Sequence, residues 1–212
     1  MIVGLGSVMV PPFLHALMCP KVQNMNEFAT SYSPQVLKIA QLGNPCLRRH
    51  VSLVPEKGLT SPEVRRLIDQ MVETMRDAYG VGIAAPQVFI SKAIITIEVT
   101  EENPRYPGCE AVPLIAIVNP VIESHSDSTV SDWEGCLSVP GIRGLVPRWD
   151  SLVVCGLDRD GRPLRFIAEG FLARIVHHEV DHLNRPVYLD RMQDLKTLTF
   201  LREFDQYWAK PL

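Results

Sequence analysis

The sequence predicts an α+β fold built mainly from antiparallel sheet. Three observations lead there: helical periodicity on both sides of a strand-rich middle, a hairpin signal at Asp158-Arg159-Asp160-Gly161, and no alternation of strand and helix of the kind that makes parallel sheets. The 212 residues, 46% hydrophobic and 21% charged, suffice for one core.

From about Gln35 the chain reads as a series of elements. VLKIAQ reads as a short strand, and GNPCLRR as a turn followed by extended chain. SPEVRRLIDQMVETMRDAYG, residues 61–80, reads as a helix: Ser61 can cap it, Pro62 fits its first turn, and Gly80 can close it. Val64, Leu67, Ile68, Met71, Met75 and Tyr79 recur at helical spacing, so this stripe is expected in the core. AIITIEV and LIAIVNP read as strands, and LVVCGL and PLRFIA as the two arms of a hairpin, because glycine supplies the positive φ its turn requires. EGFLARIVHHEVDHLNRP is a second helix, ended by Asn184 and Pro186. DLKTLTFLREFDQYW reads as a third, with Leu195, Leu198, Leu201 and Phe204 on its apolar side. The expected architecture is antiparallel sheets packed around a central helix carrying H-E-x-x-H, with an N-terminal and a C-terminal helix.

Residues 1–33 read as an extension, mobile or not native, ahead of a single domain over 34–212. The apolar run at the start is broken by Pro11-Pro12, has no Lys or Arg before Lys21, and is too short to span a bilayer. Met25 is a candidate start, testable by the activity of a chain that begins there.

A formal charge of −3 with no basic stripe argues against nucleic acid and membrane surfaces as partners. Five cysteines, an odd count without paired spacing, argue for a reducing compartment, so a cytoplasmic location is expected and an organelle matrix is the less favoured one.

The second helix carries HHEVDH. His178 and His182 stand one turn apart and aim both imidazoles to one side, with Glu179 beside them. A carboxylate on a face shared with Leu172, Ile175 and Leu183 needs a partner or a task. His177 and Asp181, also a turn apart, lie on another side and read as flanking groups. Catalytic metal sites usually take three protein ligands and keep one open position. An extended H-E-x-x-H-x-x-G-x-x-H pattern fails at Arg185 and Tyr188, which leaves Glu203 downstream or Cys136 upstream as the third ligand. In WEGCLS, residues 133–138, Gly135 lets the chain turn and approach closely beside Cys136, a candidate metal-bound thiolate. Trp133 packs beneath that loop or faces solvent. GVGIAAPQ, residues 80–87, is not a dinucleotide fingerprint, since a helix precedes it and Pro86 blocks the helix that should follow. It reads as a turn delivering Gln87, a hydrogen-bond donor.

GVGIAAPQ, EGCLS and HEVDH, in that order, resemble the three motifs of the peptide deformylase family: G-x-G-x-A-A-P-Q, E-G-C-x-S and H-E-x-D-H. The resemblance runs from about Val36 to the C-terminal helix, departs at no catalytic position, and is to the form of the family with a helical tail. It implies Cys136, His178 and His182 as metal ligands with water in the fourth place. Glu179 would be the general acid and base, and Gln87 with the Leu137 N–H the oxyanion donors. Val81, Gly82 and Gly135 would line the peptide groove, Arg143 would lie near the substrate backbone, and Ile175 would help to take the methionine side chain. The implied reaction is hydrolysis of the formyl amide of N-formylmethionyl peptides and nascent chains, met at the ribosome exit. One divalent ion is implied, Fe2+ in the cell, with Zn2+, Ni2+ or Co2+ able to replace it. Monomer and dimer both remain open. The rival readings are a zincin-type endopeptidase using Glu203 and a structural metal-binding module without catalysis.

Overall fold

The computed structural model of the protein describes residues 35–209, and the expected extension over 1–33 lies outside them. Helix α1 is Pro62–Asp77; the strands are β1 Gly82–Ala84, β2 Ile94–Val99, β3 Val112–His125, β4 Thr129–Cys136, β5 Val139–Trp149, β6 Ser151–Leu157 and β7 Pro163–Glu169. Helix α2, Gly170–Leu183, follows, then β8 Thr199–Phe200 and α3 Leu201–Tyr207. Two sheets form, one of five strands in the order β1-β2-β3-β6-β7 and one of three in the order β4-β5-β8, every ladder antiparallel. The fold is α+β as the sequence predicts.

Sheet and helices are joined by two apolar layers. Ile94 and Val118 pack with Ile68, Met71 and Met75 of α1. Ile95, Ile97, Ile117 and Leu152 pack with Ile175, Val176 and Val180 of α2. Strand β2 is therefore buried on both faces, which explains why AIITIEV is a near-continuous apolar run rather than an alternating one. The β6–β7 hairpin closes with Gly161 at φ 78° and its N–H on Asp158 O at 3.0 Å.

α1 begins as expected. Ser61 Oγ accepts from the Val64 N–H at 3.3 Å, and Pro62 opens the first turn. Its end differs from the expectation of closure at Gly80. Tyr79 takes the left-handed position at φ 52°, with its N–H on Arg76 O at 3.0 Å and the Gly80 N–H on Met75 O at 2.8 Å. Gly80 is needed for space instead, since a Cβ there would stand 2.8 Å from Leu137 Cδ1.

Three other expectations are corrected. VLKIAQ forms no strand; the Ala40 N–H is on Gln87 O and, just past the segment, the Leu42 N–H is on Ser138 O, both at 2.7 Å. Within GNPCLRR, Pro45–Arg48 is a 3-10 turn because Asn44 Oδ1 accepts from the Cys46 N–H at 3.0 Å. The third helix does not run through residues 194–208. Asp194 caps a 3-10 turn over Leu195–Thr197, and Thr199 and Phe200 then pair with Arg143 and Ile142 of β5, leaving only Leu201–Tyr207 helical. Leu195, Leu198 and Leu201 are exposed, so the supposed apolar side buries only Phe204, and that partly. Among the described residues no helix is long and apolar enough to cross a membrane.

Candidate active site

WEGCLS is the tip of the β4–β5 hairpin. Cys136 pairs with Val139 across a turn made by Leu137 and Ser138, and the ladder shifts register between Glu134 and Cys136. That irregularity falls on Gly135, where the sequence reading asks for a close approach. The hairpin delivers Cys136 to α2, whose residues Ala173–Leu183 are all buried and which touches β1, β2, β3, β5, β6 and β7.

Cys136, His178 and His182 meet there. Their ligand atoms lie within 4.8 Å of one another, and Cys136 Sγ is 3.3 Å from His182 Nε2. His178 Nδ1 is 2.9 Å from Glu134 Oε2, which leaves its other ring nitrogen for a ligand. Burial opposes a Cys136 thiolate, but His182 and His178 outweigh it and hold the thiol well below its ordinary range. Burial likewise opposes charge on His178, while Cys136 and Glu134 favour it and raise the group. One thiolate and two imidazoles, that of His178 oriented by Glu134, are a donor set for a divalent transition metal with a position left open. The residues present fit such an ion.

Glu179 lies beside this cluster. It is buried, its Oε2 has no hydrogen-bond partner among the described residues, and burial pushes its carboxyl up to about 7. A carboxyl in that range can both take and return a proton near neutrality. Gly82 makes the room, since a Cβ there would stand 2.4 Å from Glu179 Oε1.

Gln87 closes the other side. Its Oε1 accepts from the Ala84 N–H at 2.8 Å, which fixes the amide so that Nε2 faces Ser138 Oγ at 3.1 Å and Cys136 Sγ at 3.5 Å. The donor therefore points into the site. Leu137, Val81, Gly82, Gly135 and Ile175 all line the same cleft, together with Cys136, His178 and Glu179.

Two sequence candidates remain. Arg143 is buried behind the cleft wall, its Cγ 3.6 Å from where a Cβ on Gly135 would stand; its guanidinium lies 4.9 Å from the Tyr106 ring centroid and 4.8 Å from that of Phe204, and its Nη2 donates to Arg105 O at 2.9 Å. Glu203 is exposed on α3 and stands outside the metal-ligand cluster. Trp133 is half-buried, lines the cleft and meets Phe204 edge-on at 5.2 Å.

Sequence reasoning missed the groups behind the ligands. Glu134 accepts from Arg148 at 2.8 and 2.9 Å and from Arg174 at 2.8 Å. Arg148 also reaches Asp181 at 2.5 Å, and Arg191 meets Asp181 at 2.6 Å. Burial opposes charge on Glu134, yet Arg148 and His178 keep it ionised. Nothing local in GIRGLVPR marks Arg148 as buried, because its partners lie 14 and 33 residues away. His177 stacks on Trp149 at 4.4 Å, and burial lowers it to about 4, so it sits neutral beside Asp181.

Residues 36–198 match the family described as Polypeptide deformylase. Peptide deformylase 2 of Pseudomonas putida is 47% identical over 156 residues, which is 74% of this chain and 87% of that protein. Peptide deformylase 1 of Bordetella pertussis is 46% identical over 157 residues, 74% of this chain and 88% of its own. Among solved structures, a class I type b peptide deformylase from Acinetobacter baumannii with Met-Ala-Ser bound superposes with a TM-score of 0.72 at 40% identity, covering 75% of this chain and 99% of that one.

Proposed function

The chain belongs to the polypeptide deformylase family, a family of metal-dependent hydrolases, and we propose that Cys136, His178, His182 and Glu179 carry the family's reaction in it. It removes the N-formyl group from newly made polypeptides, releasing formate and a free amino terminus. The observation that carries the assignment of residues is one thiol and two imidazoles converging beside a buried carboxyl that has no partner.

A divalent ion held by Cys136, His178 and His182 supplies Lewis acidity toward water and the formyl oxygen. Glu134 fixes the His178 ring, and Arg148 and Arg174 fix Glu134. Glu179 takes one proton from the attacking water and returns it to the departing amide nitrogen, so the C–N bond breaks to formic acid and an amine; the acid's proton then passes to the amine, giving formate and an ammonium terminus. Gln87 Nε2 and the Leu137 N–H donate to the formyl oxygen as charge grows on it; removal of one such donor costs about 10²–10³ in rate. The enclosure of the site by Gly82, Gln87 and Ile175 suits an acyl group bearing only hydrogen. Val81, Gly82 and Gly135 line the way for the peptide, and Ile175 contributes to the methionine pocket. Arg143 acts on that path through Arg105, whose carbonyl it holds.

The family resemblance favours Fe2+ as the resident ion; a thiolate and two imidazoles also accept Zn2+, Ni2+ or Co2+, and affinity order alone does not choose among them. Air then inactivates the iron form, through the ion or through Cys136. The partners are formylated nascent chains met at the ribosome exit in the cytoplasm, and residues 34–212 form the working domain.

Anaerobic purification, metal analysis and a formate-release assay on a formyl-Met peptide test this reading. Cys136→Ala is expected to lose the ion while Glu203→Ala retains it and still deformylates. The reverse pattern would favour the endopeptidase, and four protein ligands without turnover would favour a structural site.

A further inference from the structure

Two arginines line the cleft, and they are in different states. Arg174 is buried and committed: it donates to Glu134 Oε1 at 2.8 Å, to Val146 O at 2.8 Å and to Val130 O at 2.7 Å. Arg105 is half-exposed, and among the described residues its guanidinium has neither a carboxylate within 4.0 Å nor a hydrogen-bond acceptor. What fixes it is shape. The guanidinium stands 6.0 Å from the Tyr106 ring centroid, and its Nη2 lies 3.3 Å from where a Cβ on Gly135 would be. Its backbone is held at both ends, with the Arg105 N–H on Asn103 Oδ1 and Arg105 O on Arg143, each at 2.9 Å.

The cleft is also graded. Cys136, Gln87, Ile175 and Glu179 are buried, whereas Arg105 and Trp133 on its wall are half-exposed. On the function proposed above, the formyl end is fixed among the buried groups, so the peptide beyond methionine leaves past the half-exposed wall. A guanidinium without a counter-charge on that path is a fork for a carboxylate.

We propose that Arg105 is a specificity-determining residue: it binds a carboxylate on the peptide just beyond the formylmethionine and so favours acidic substrates. In a nascent chain that carboxylate is an Asp or Glu side chain at the second or third residue. In a short peptide it is also the free carboxyl terminus. Peptides with a carboxyl-terminal amide separate the two sources.

The test compares formyl-Met-Ala-Ala amide with formyl-Met-Asp-Ala amide, formyl-Met-Ala-Asp amide and formyl-Met-Ala-Ala free acid on the full, metal-loaded chain. At least one carboxylate peptide is expected to show kcat/KM about fivefold above the neutral amide, carried by KM and shrinking with added salt. Arg105→Gln brings that ratio to about one, and Arg105→Lys restores part of it. If Arg105 only braced the Tyr106 loop, its loss would lower kcat/KM for every peptide and leave the ratio intact, which overturns the proposal. Equal rates for all four peptides in the unaltered chain overturn it too. Binding of deformylated Met-Ala-Asp amide, Met-Asp-Ala amide, Met-Ala-Ala free acid and Met-Ala-Ala amide, read by the fluorescence of Trp133 in the cleft wall, needs no turnover. A preference there for a carboxylate peptide that vanishes in Arg105→Gln upholds Arg105 even if no formyl peptide is hydrolysed. Equal binding with normal deformylation overturns Arg105 alone.

Discussion

Helices α1 and α2 are 16 and 14 residues long and pack on opposite sides of the same strand, yet they obey different rules. In α1 an apolar stripe is buried and the charged residues Glu63, Arg65 and Arg66 face solvent. In α2 all eleven residues from Ala173 to Leu183 are buried, and six of them are ionisable: Arg174, His177, His178, Glu179, Asp181 and His182. Buried charge is tolerated only where it is paired. Arg174 and Asp181 are paired completely. Glu179 Oε2, His177 Nδ1 and His182 Nδ1 keep no partner among the described residues, and His182 turns its other nitrogen to Cys136. One helix builds the core, while the other holds reactive groups inside a frame of ion pairs.

Substitutions can break or sharpen that contrast. The largest expected loss of stability is in the frame. Arg148→Met removes the partner that Glu134 and Asp181 share, leaving them Arg174 and Arg191, and should cost about 3–5 kcal/mol, read by urea denaturation. It should also weaken metal retention by loosening His178. A near-neutral result would mean that the frame does not depend on Arg148. In α1, Met71→Ala removes a fully buried side chain and should cost about 3 kcal/mol while kcat of the folded fraction stays unchanged. A fall in kcat there would show that α1 is not the purely structural partner. Ser61→Ala removes the cap of α1 and should cost about 1 kcal/mol. Tyr79→Gly relieves the left-handed strain at the end of α1 against a backbone entropy cost, for a net gain of about 0.5 kcal/mol in thermal denaturation. A loss would mean that the exposed Tyr79 ring contributes more than its backbone strains.

The same contrast governs what was legible in the sequence. α1 was readable because its signals are local: a cap, a proline and a stripe at helical spacing. The ligands were readable because His178 and His182 are one turn apart, and EGCLS completes the resemblance. Arg148, Arg174 and Arg105 were not readable, since each is defined by groups far along the chain. The place of Arg143 between two rings has no local signal either, because Tyr106 and Phe204 meet it only in the fold. The C-terminal helix failed for a related reason: pairing of Thr199 and Phe200 with β5 overrides helical spacing. VLKIAQ is apolar enough to read as a strand, but its N–H groups go to the Thr74 hydroxyl of α1 and to Gln87 O and not to a neighbouring strand.

The central claim is that Glu179 moves the proton and does not hold the metal. It is tested most directly by measuring the metal content and formate release of Glu179→Ala together, under anaerobic conditions. The account predicts an unchanged metal stoichiometry with deformylation reduced by about 10²–10⁴. Full activity, or loss of the ion along with the activity, would contradict it.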